Sequence, residues 1–455
     1  MTGITEQDIL NACEFAVKEG SRTGMDIEAY GVFSTENSVS IERNDIATGI
    51  SMEYSGIGIR TFKNGAIGFA SVNSLNREDI KKAVESAIKI ASSSPPTGEY
   101  NRLPEPPERS AYREVKGLYD PAIEDFTMED ALDHALRMLQ AAREDRRVMV
   151  DSGSLESGMG ARAIASSNGL SLSERSSSIS YMIMGMARDG EDVSSFNYRY
   201  KGTHRLSEVD TERTGREFAE LVLKTLGAKK TESFRGQVIL TPDAFVDLLI
   251  SPIMHLVNAD NVQKGRSSFA DKIGERVASE RLTITDDGTV NGGLGSSMFD
   301  REGIPHSPLS IVQNGTLKSF LHNTKTAIRA GLGAEGSTGH ATGGFTGVPG
   351  IGSTNLDIAA GDISLDEMIA DVKKGIILTR MSGYPDPISG QYSATVKGGM
   401  LVEKGEIVRP ITGTMISGNI FENLNNISHL SKEREELFSV LAPYALVDNV
   451  SIISE

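Results

Sequence analysis

Apolar residues recur along this chain in two registers, and each change of register marks an element. Ile9, Cys13 and Ala16 follow the capping-box start Thr5-Glu6-Gln7-Asp8 and end at Gly20, which predicts a helix with those three side chains on its buried face. From Ile27 to Ala70 the period falls to two. IEAYGVF, SVSIERNDIATGISMEY, GIGIRTF and AIGFASV read as antiparallel strands, the last two joined through Asn64-Gly65, a type I′ hairpin signal. Helical spacing returns over Asn76 to Ala91, with Ile80, Ala83, Val84, Ala87 and Ile88 on one side. Five prolines between residues 93 and 115 keep that segment out of a sheet interior or a helix and make it a connection. The order then repeats. Thr127-Met128-Glu129-Asp130 caps a helix to about Arg143, VMVDSGSLE and ARAIASSNGLSLSERSSSISYMIMGMAR turn on Asn168-Gly169, the tyrosine-rich SSFNYRYKG follows, and a helix runs from Val209 to Leu226.

The short polar stretch GAKKTES predicts the main boundary, giving an N-terminal α+β domain over 1–228 and a strand-rich C-terminal domain over 229–455. The first of these divides into subdomains of about 1–92 and 116–228, with the proline-rich connection 93–115 between them. The second half opens on strand QVILT and a helix with Thr241 as N-cap and Pro242 at its first position. Further on, Pro252 discourages an unbroken helix, and Ser251 is placed to cap a fresh turn. Ser364-Leu365-Asp366-Glu367 caps another helix, which Gly375 is placed to end. Runs of antiparallel strands with a few helices on one side indicate an α+β architecture with mixed or antiparallel sheets, not a doubly wound parallel sheet.

Charge and composition narrow the function. Forty-six Lys and Arg against 62 Asp and Glu leave a formal charge of −16, which speaks against direct nucleic-acid binding because phosphate neutralisation needs clustered cations. The single cysteine, Cys13, allows no intramolecular disulfide, and its place on an apolar helix face makes it packing, not a nucleophile. No stretch approaches the roughly 18 apolar residues of a membrane span, and the N-terminus lacks a leader pattern. A cytoplasmic protein with no membrane association is expected. Gly158-Met159-Gly160-Ala161-Arg162-Ala163 fits the loose dinucleotide fingerprint, but the residues after it alternate like a strand where the fingerprint needs a helix. Asp286-Asp287, Asp300 and Glu302 are loop carboxylates with the spacing of Asx-turns and caps, not of a calcium loop.

The most informative stretch is LLISPIMHLVNAD from Leu248 to Asp260, followed by KGRSSF from Lys264. With GIGIRTFKNGAIGFAS, ITDDGTVNGGLGSSMFDREG, VQNGTLKSFLHNTKTA and VKGGMLVEKGEIVRPITGTMISGN, in that order over nearly the whole chain, it resembles the TldD/PmbA family. That family comprises the modulators of DNA gyrase of older usage, also described as the TldD/TldE peptidase pair. The resemblance implies a two-domain fold of this type. It also implies, in the catalytic branch, a helix carrying H-E-x-x-x-H and a C-terminal cysteine around zinc. Counting back from Gly265 and Phe269, this chain has Ile250 at the first histidine, Ser251 at the glutamate and His255 at the second histidine. One imidazole without the carboxylate or a nearby thiolate does not make a catalytic zinc site, which takes about three protein ligands.

The pattern therefore resembles the PmbA, or TldE-like, branch. What this implies is a chain with no catalytic residue and no cofactor of its own, joined to a TldD-like subunit that supplies zinc, the two forming a chamber for small or unfolded peptides destined for maturation or degradation. Two alternatives stay open: a homodimeric peptide-binding or scaffold protein, and an independent metallopeptidase with a non-standard site. His306, His322 and His340 offer no pair at ligand spacing to replace the motif. The Gly-rich loop from Gly331 to Gly352 and the segment Met381 to Tyr392 are candidates to line a peptide groove through strand addition, with His255, His340, Gly343, Gly344, Gly383, Tyr384 and Tyr392 as its residues. They serve equally as ordinary connections or subunit contacts.

Overall fold

The computed structural model describes residues 4–98, 100 and 102–454. Its first half is built on one seven-stranded antiparallel sheet. Strands β1 (Asp26–Glu42), β2 (Asp45–Lys63), β3 (Ala66–Val72), β4 (Val148–Ser166), β5 (Ser171–Asp189), β6 (Asp192–Val193) and β7 (Asn197–Thr203) lie in the order β3-β2-β1-β4-β5-β6, with β7 also paired to β5. Both halves of the internal sheet–helix repeat share this sheet, because β1 pairs β4 along its length from Glu28↔Ser166 to Glu42↔Ser152. The dinucleotide-like glycines lie inside β4, as the alternating sequence around them requires.

Strand alternation decides what each face meets. Odd-numbered residues of β1 turn toward the helices: Ile27, Ala29 and Phe33 pack with Ile9, Cys13 and Ala16 of α1 (Glu6–Ser21) and with Ile80, Val84 and Ala87 of α2 (Arg77–Ser93). Val39 and Ile41, further along the same face, meet α4 (Met128–Ala142) and α5 (Thr211–Leu223). A short helix, α3 (Pro121–Glu124), precedes α4. The helices α1, α2, α4 and α5 therefore cover one side of the sheet, and α1 and α4 start on the capping boxes that their sequences carry, at Thr5 with Asp8 and at Thr127 with Asp130. The Asn64-Gly65 turn has φ of 49° and 80°, as a type I′ hairpin needs.

The second half folds around a mixed thirteen-stranded sheet. Strand β8 (Phe234–Leu240) lies parallel to Lys374–Leu378 and antiparallel to Val440–Ser454. Two local expectations are corrected here. Ser251 does not cap a new helix: φ −58° and ψ −41° put it inside a continuous helical run of Pro242–Phe245, a π-helical Val246–Ile250 and Ser251–Leu256. The wider π turn takes up the ring of Pro252 without a break. Gly375 does not end the helix Leu365–Ala370, which stops at Asp371. It lies in the strand Lys374–Leu378, where a Cβ would sit 2.2 Å from the Gln237 carbonyl oxygen, so glycine serves close strand approach instead.

Candidate functional site

The helix after β8 begins on Thr241, whose hydroxyl accepts from the Ala244 amide, with Pro242 at the first position. Ile250 is fully buried in the core of the second sheet, Ser251 is exposed, and His255 is half-buried one turn on. Asn261 Nδ2 donates to the His255 carbonyl at 3.0 Å and lies 3.3 Å from Nδ1. That contact leaves the ring proton on Nε2, which is buried and has no partner among the described residues. The Asp386 carboxylate is held below the usual range by the Ile388 backbone and the Ser389 hydroxyl, with a smaller contribution from His255.

These residues do not fit a zinc site. A buried isoleucine offers no donor, and the hydroxyl of Ser251 is exposed, one turn from a single imidazole. Cys13 lies in the first half of the chain with its thiol pushed up to about 12 by burial. Among the described residues no three His, Cys, Asp or Glu side chains come together to hold a metal. His306, His322 and His340 do share one neighbourhood, but around a different centre. His340 Nδ1 lies 2.9 Å from Thr338 Oγ1 and its Nε2 3.3 Å from Asp286 Oδ1, too oblique for a hydrogen bond, while His322 Nδ1 meets Thr326 Oγ1 at 3.2 Å.

Of the proposed groove residues, the structure keeps some inside and leaves others in the open. His340 and Tyr392 are buried, and the Tyr392 hydroxyl accepts from Asn423 Nδ2 at 2.5 Å. Gly343 and Gly344 face open space, Tyr384 is 86% exposed, and Gly383 has φ 120° with a Cβ position only 2.8 Å from the Ser393 carbonyl oxygen. The two segments come near the motif helix and the residues just after it: the Asp386 carboxylate is within electrostatic reach of His255, and the Ile351 carbonyl accepts from Asn258 at 3.4 Å. Between them the Gly331–Gly352 loop has a structural task, because Phe345 is buried against β2 with Tyr30, Ile164 and Phe299.

Sequence reading missed a buried charge network on the even face of the first sheet. Arg60 of β2 donates to Glu28 Oε2 at 2.6 Å and Glu302 Oε1 at 3.0 Å, while Arg301 reaches Glu28 Oε1 at 3.3 Å and stacks over Tyr30. Glu302 also accepts from the Thr324 amide at 2.8 Å and from the Tyr100 hydroxyl at 3.3 Å. Asp300 makes the expected Asx-type bonds, to the Glu302 and Ile304 amides, and a third to Ala341; burial and the neighbouring Glu302 push it up to about 7. The group joins strands of the first sheet to the Asp300–Glu302 turn of the second half.

Burial has the opposite effect on the nearby His306, pulling it down to about 4 with help from Arg162 and His340. A base with a depressed folded value gives stability that is fully present above its unfolded value near 6.5 and lost as pH falls toward 4. His306→Gln is therefore expected to show a shallower loss of stability than the parent between about pH 6.5 and 4, read as urea midpoints at matched pH values. Parallel acid limbs in the two proteins would refute this role.

Three sequence models of one family match this chain: PmbA/TldA metallopeptidase domain 1 over residues 27–91, the central domain over 121–226 and the C-terminal domain over 233–454. An uncharacterized protein of Methanocaldococcus jannaschii is 31% identical over 413 residues, covering 90% of this chain and 92% of its own. The metalloprotease PmbA of Escherichia coli O157:H7 is 26% identical over 411 residues, 88% of this chain and 86% of its own. In three dimensions the chain superposes on a Thermotoga maritima protein described as a modulator of a DNA gyrase with TM-score 0.87, at 25% identity over 97% of this chain and 99% of that one. TldE of Thermococcus kodakarensis gives TM-score 0.87 at 23% identity, covering 97% and 100%, which speaks for the fold.

Proposed function

From the premise that this chain belongs to the PmbA/TldD metallopeptidase family, we propose that it is the non-metal subunit of a peptidase complex, a TldE-like chain that helps enclose small or unfolded peptides while a TldD-like partner holds zinc. One observation carries the reading. Where the catalytic branch needs two imidazoles and a carboxylate, this helix presents a buried Ile250, an exposed Ser251 and one His255 whose Nδ1 faces the Asn261 amide. Relatives named metalloproteases favour peptide chemistry for the assembly, and the poor donor set of this helix supports a hydrolytic step carried by another chain. His255 retains a role as a donor through its unpartnered Nε2, toward a peptide carbonyl or toward the partner. A cytoplasmic location belongs to this proposal; no described helix is long and apolar enough to cross a membrane.

Assembly has a physical candidate in β2. Only Ile57 to Lys63 pair with β3, so among the described residues the outer edge of Asp45–Tyr54 carries no strand, and Ile50, Met52 and Tyr54 are each about half exposed there. An open edge with apolar side chains is a surface that proteins cover. The same edge suits a second copy, the homodimeric alternative. Coexpression with an H-E-x-x-x-H chain of the family from the same organism distinguishes the two. The expected result is a heteromer by native mass spectrometry, reduced at least about tenfold in yield by Met52→Lys at the edge. Exclusive recovery of homodimers from that coexpression would replace this reading with the scaffold one.

A further inference from the structure

Between the free end of the first sheet and the second half of the chain lies a cavity of about 410 Å³, within the size range of small-ligand sites. Its floor is the β5–β7 pairing, which sets Met182 opposite Tyr200 and Met184 opposite Tyr198. From the other side, the Arg380 guanidinium lies over the Tyr198 ring at 3.7 Å, and Phe438 stacks on Tyr200 at 5.0 Å between centroids. Walls of two methionines and three aromatic rings are apolar and, at the thioethers, adaptable.

Two features single this cavity out from an ordinary gap between folded units. Arg380 Nη1 is buried without a hydrogen-bond partner, an uncommon state for a group that carries five donors and a fixed charge. Asp243 and Asp247 feel that charge from the neighbouring helix, yet burial raises both of them, and among the described residues Arg380 forms no ion pair with either. Second, Phe438 occupies a left-handed backbone position, φ 55°, in the two-residue turn that follows Leu437↔Val440 pairing, where glycine is the usual residue. A strained aromatic that is 42% exposed, entering space kept free by Gly202, is held for contact and not for turn formation.

We propose that this cavity is a subsite for the C-terminal residue of a peptide, its α-carboxylate paired with the Arg380 guanidinium and its aromatic or long aliphatic side chain seated among Met182, Met184, Tyr200 and Phe438. A planar guanidinium that lines an apolar cavity and has no ion pair among the described residues matches a carboxylate, and gains a charge-assisted bond that an amide cannot supply in full. The serines at the far end, Ser154 and Ser180, meet the peptide backbone, and Glu156 there disfavours a second negative charge, which fixes the direction of the chain. The inference rests on the peptide-handling reading above, but its test needs no partner.

Calorimetric titration of the purified full-length chain with N-acetyl-Gly-Phe as the free acid and as the C-terminal amide decides it. The free acid is expected to bind at least about tenfold more tightly than the amide. Arg380→Gln is expected to erase that preference, and Phe438→Ser, on a half-exposed turn residue, to weaken acid and amide alike. Equal binding of acid and amide, an unchanged preference in Arg380→Gln, or no binding of either peptide would each overturn the subsite. If this happens while the heteromer still assembles, only the subsite is lost. If the subsite binds as expected and no heteromer forms, the subunit reading fails instead.

Discussion

An Arg60→Met chain is expected to be about 3–5 kcal/mol less stable than the parent, the cost typical of breaking a buried ion pair from one side. Arg60 is 4% exposed and answers two carboxylates, Glu28 at 2.6 Å and Glu302 at 3.0 Å. Methionine restores the volume of the stem but leaves those acids buried without their guanidinium. Glu28 retains Arg301 at 3.3 Å, so Glu302, with the Thr324 amide and the Tyr100 hydroxyl as its remaining donors, bears most of the loss. The chain contains no tryptophan, so guanidinium unfolding is followed by far-UV circular dichroism. Arg137→Ala, which removes an exposed helix pair with Asp133, is the control expected to leave the midpoint in place. Adding Glu302→Gln to Arg60→Met should restore part of the stability, because the uncompensated charge is then gone.

A second large loss, about 3–4 kcal/mol, is expected for Phe345→Ala, in the range for emptying a buried aromatic site. The ring lies in a notch cut into β2: a Cβ at Gly56 would sit 2.1 Å from Phe345 Cε2, and one at Gly58 would sit 2.2 Å from the Phe345 carbonyl oxygen. Gly56→Val fills the notch from the other side and should separate the same surfaces, while the helix-covered face of the sheet stays folded. Loss of amide-exchange protection in Gly56→Val confined to residues near β2, Phe299 and Phe345 is the expected pattern; unchanged protection there would show that the notch does not join the two halves.

Much of this architecture was legible because local signals were complete. The capping boxes at Thr5, Thr127 and Ser364 start helices where hydroxyl and carboxylate stand three residues apart, and Asn64-Gly65 supplies the two positive φ values that its hairpin needs. Ser251 and Gly375 were misread for a shared reason. Each has the residue type of a cap, but a π turn before Pro252 and a neighbouring strand at Gln237 decided their conformations from outside the local window. The charge network joins residues as far apart as Glu28 and Glu302, so no spacing rule finds it. A signal was present all the same: Glu28 and Arg60 interrupt the mostly apolar runs IEAYGVF and GIGIRTF, and directly paired positions with opposite charges in a buried sheet call for further partners. The cavity at Arg380 was equally illegible, since β7 and the Phe438 turn meet only in the folded chain.

The subunit reading depends on what the motif helix lacks, and metal content tests it most directly. The chain is purified alone, loaded with excess zinc, dialysed and measured by mass spectrometry of the metal together with peptide hydrolysis. The account predicts well below about one zinc per chain and no hydrolysis, with both appearing only in the heteromer. About one retained equivalent in the isolated chain, with peptide cleavage that His255→Ala abolishes, would contradict it.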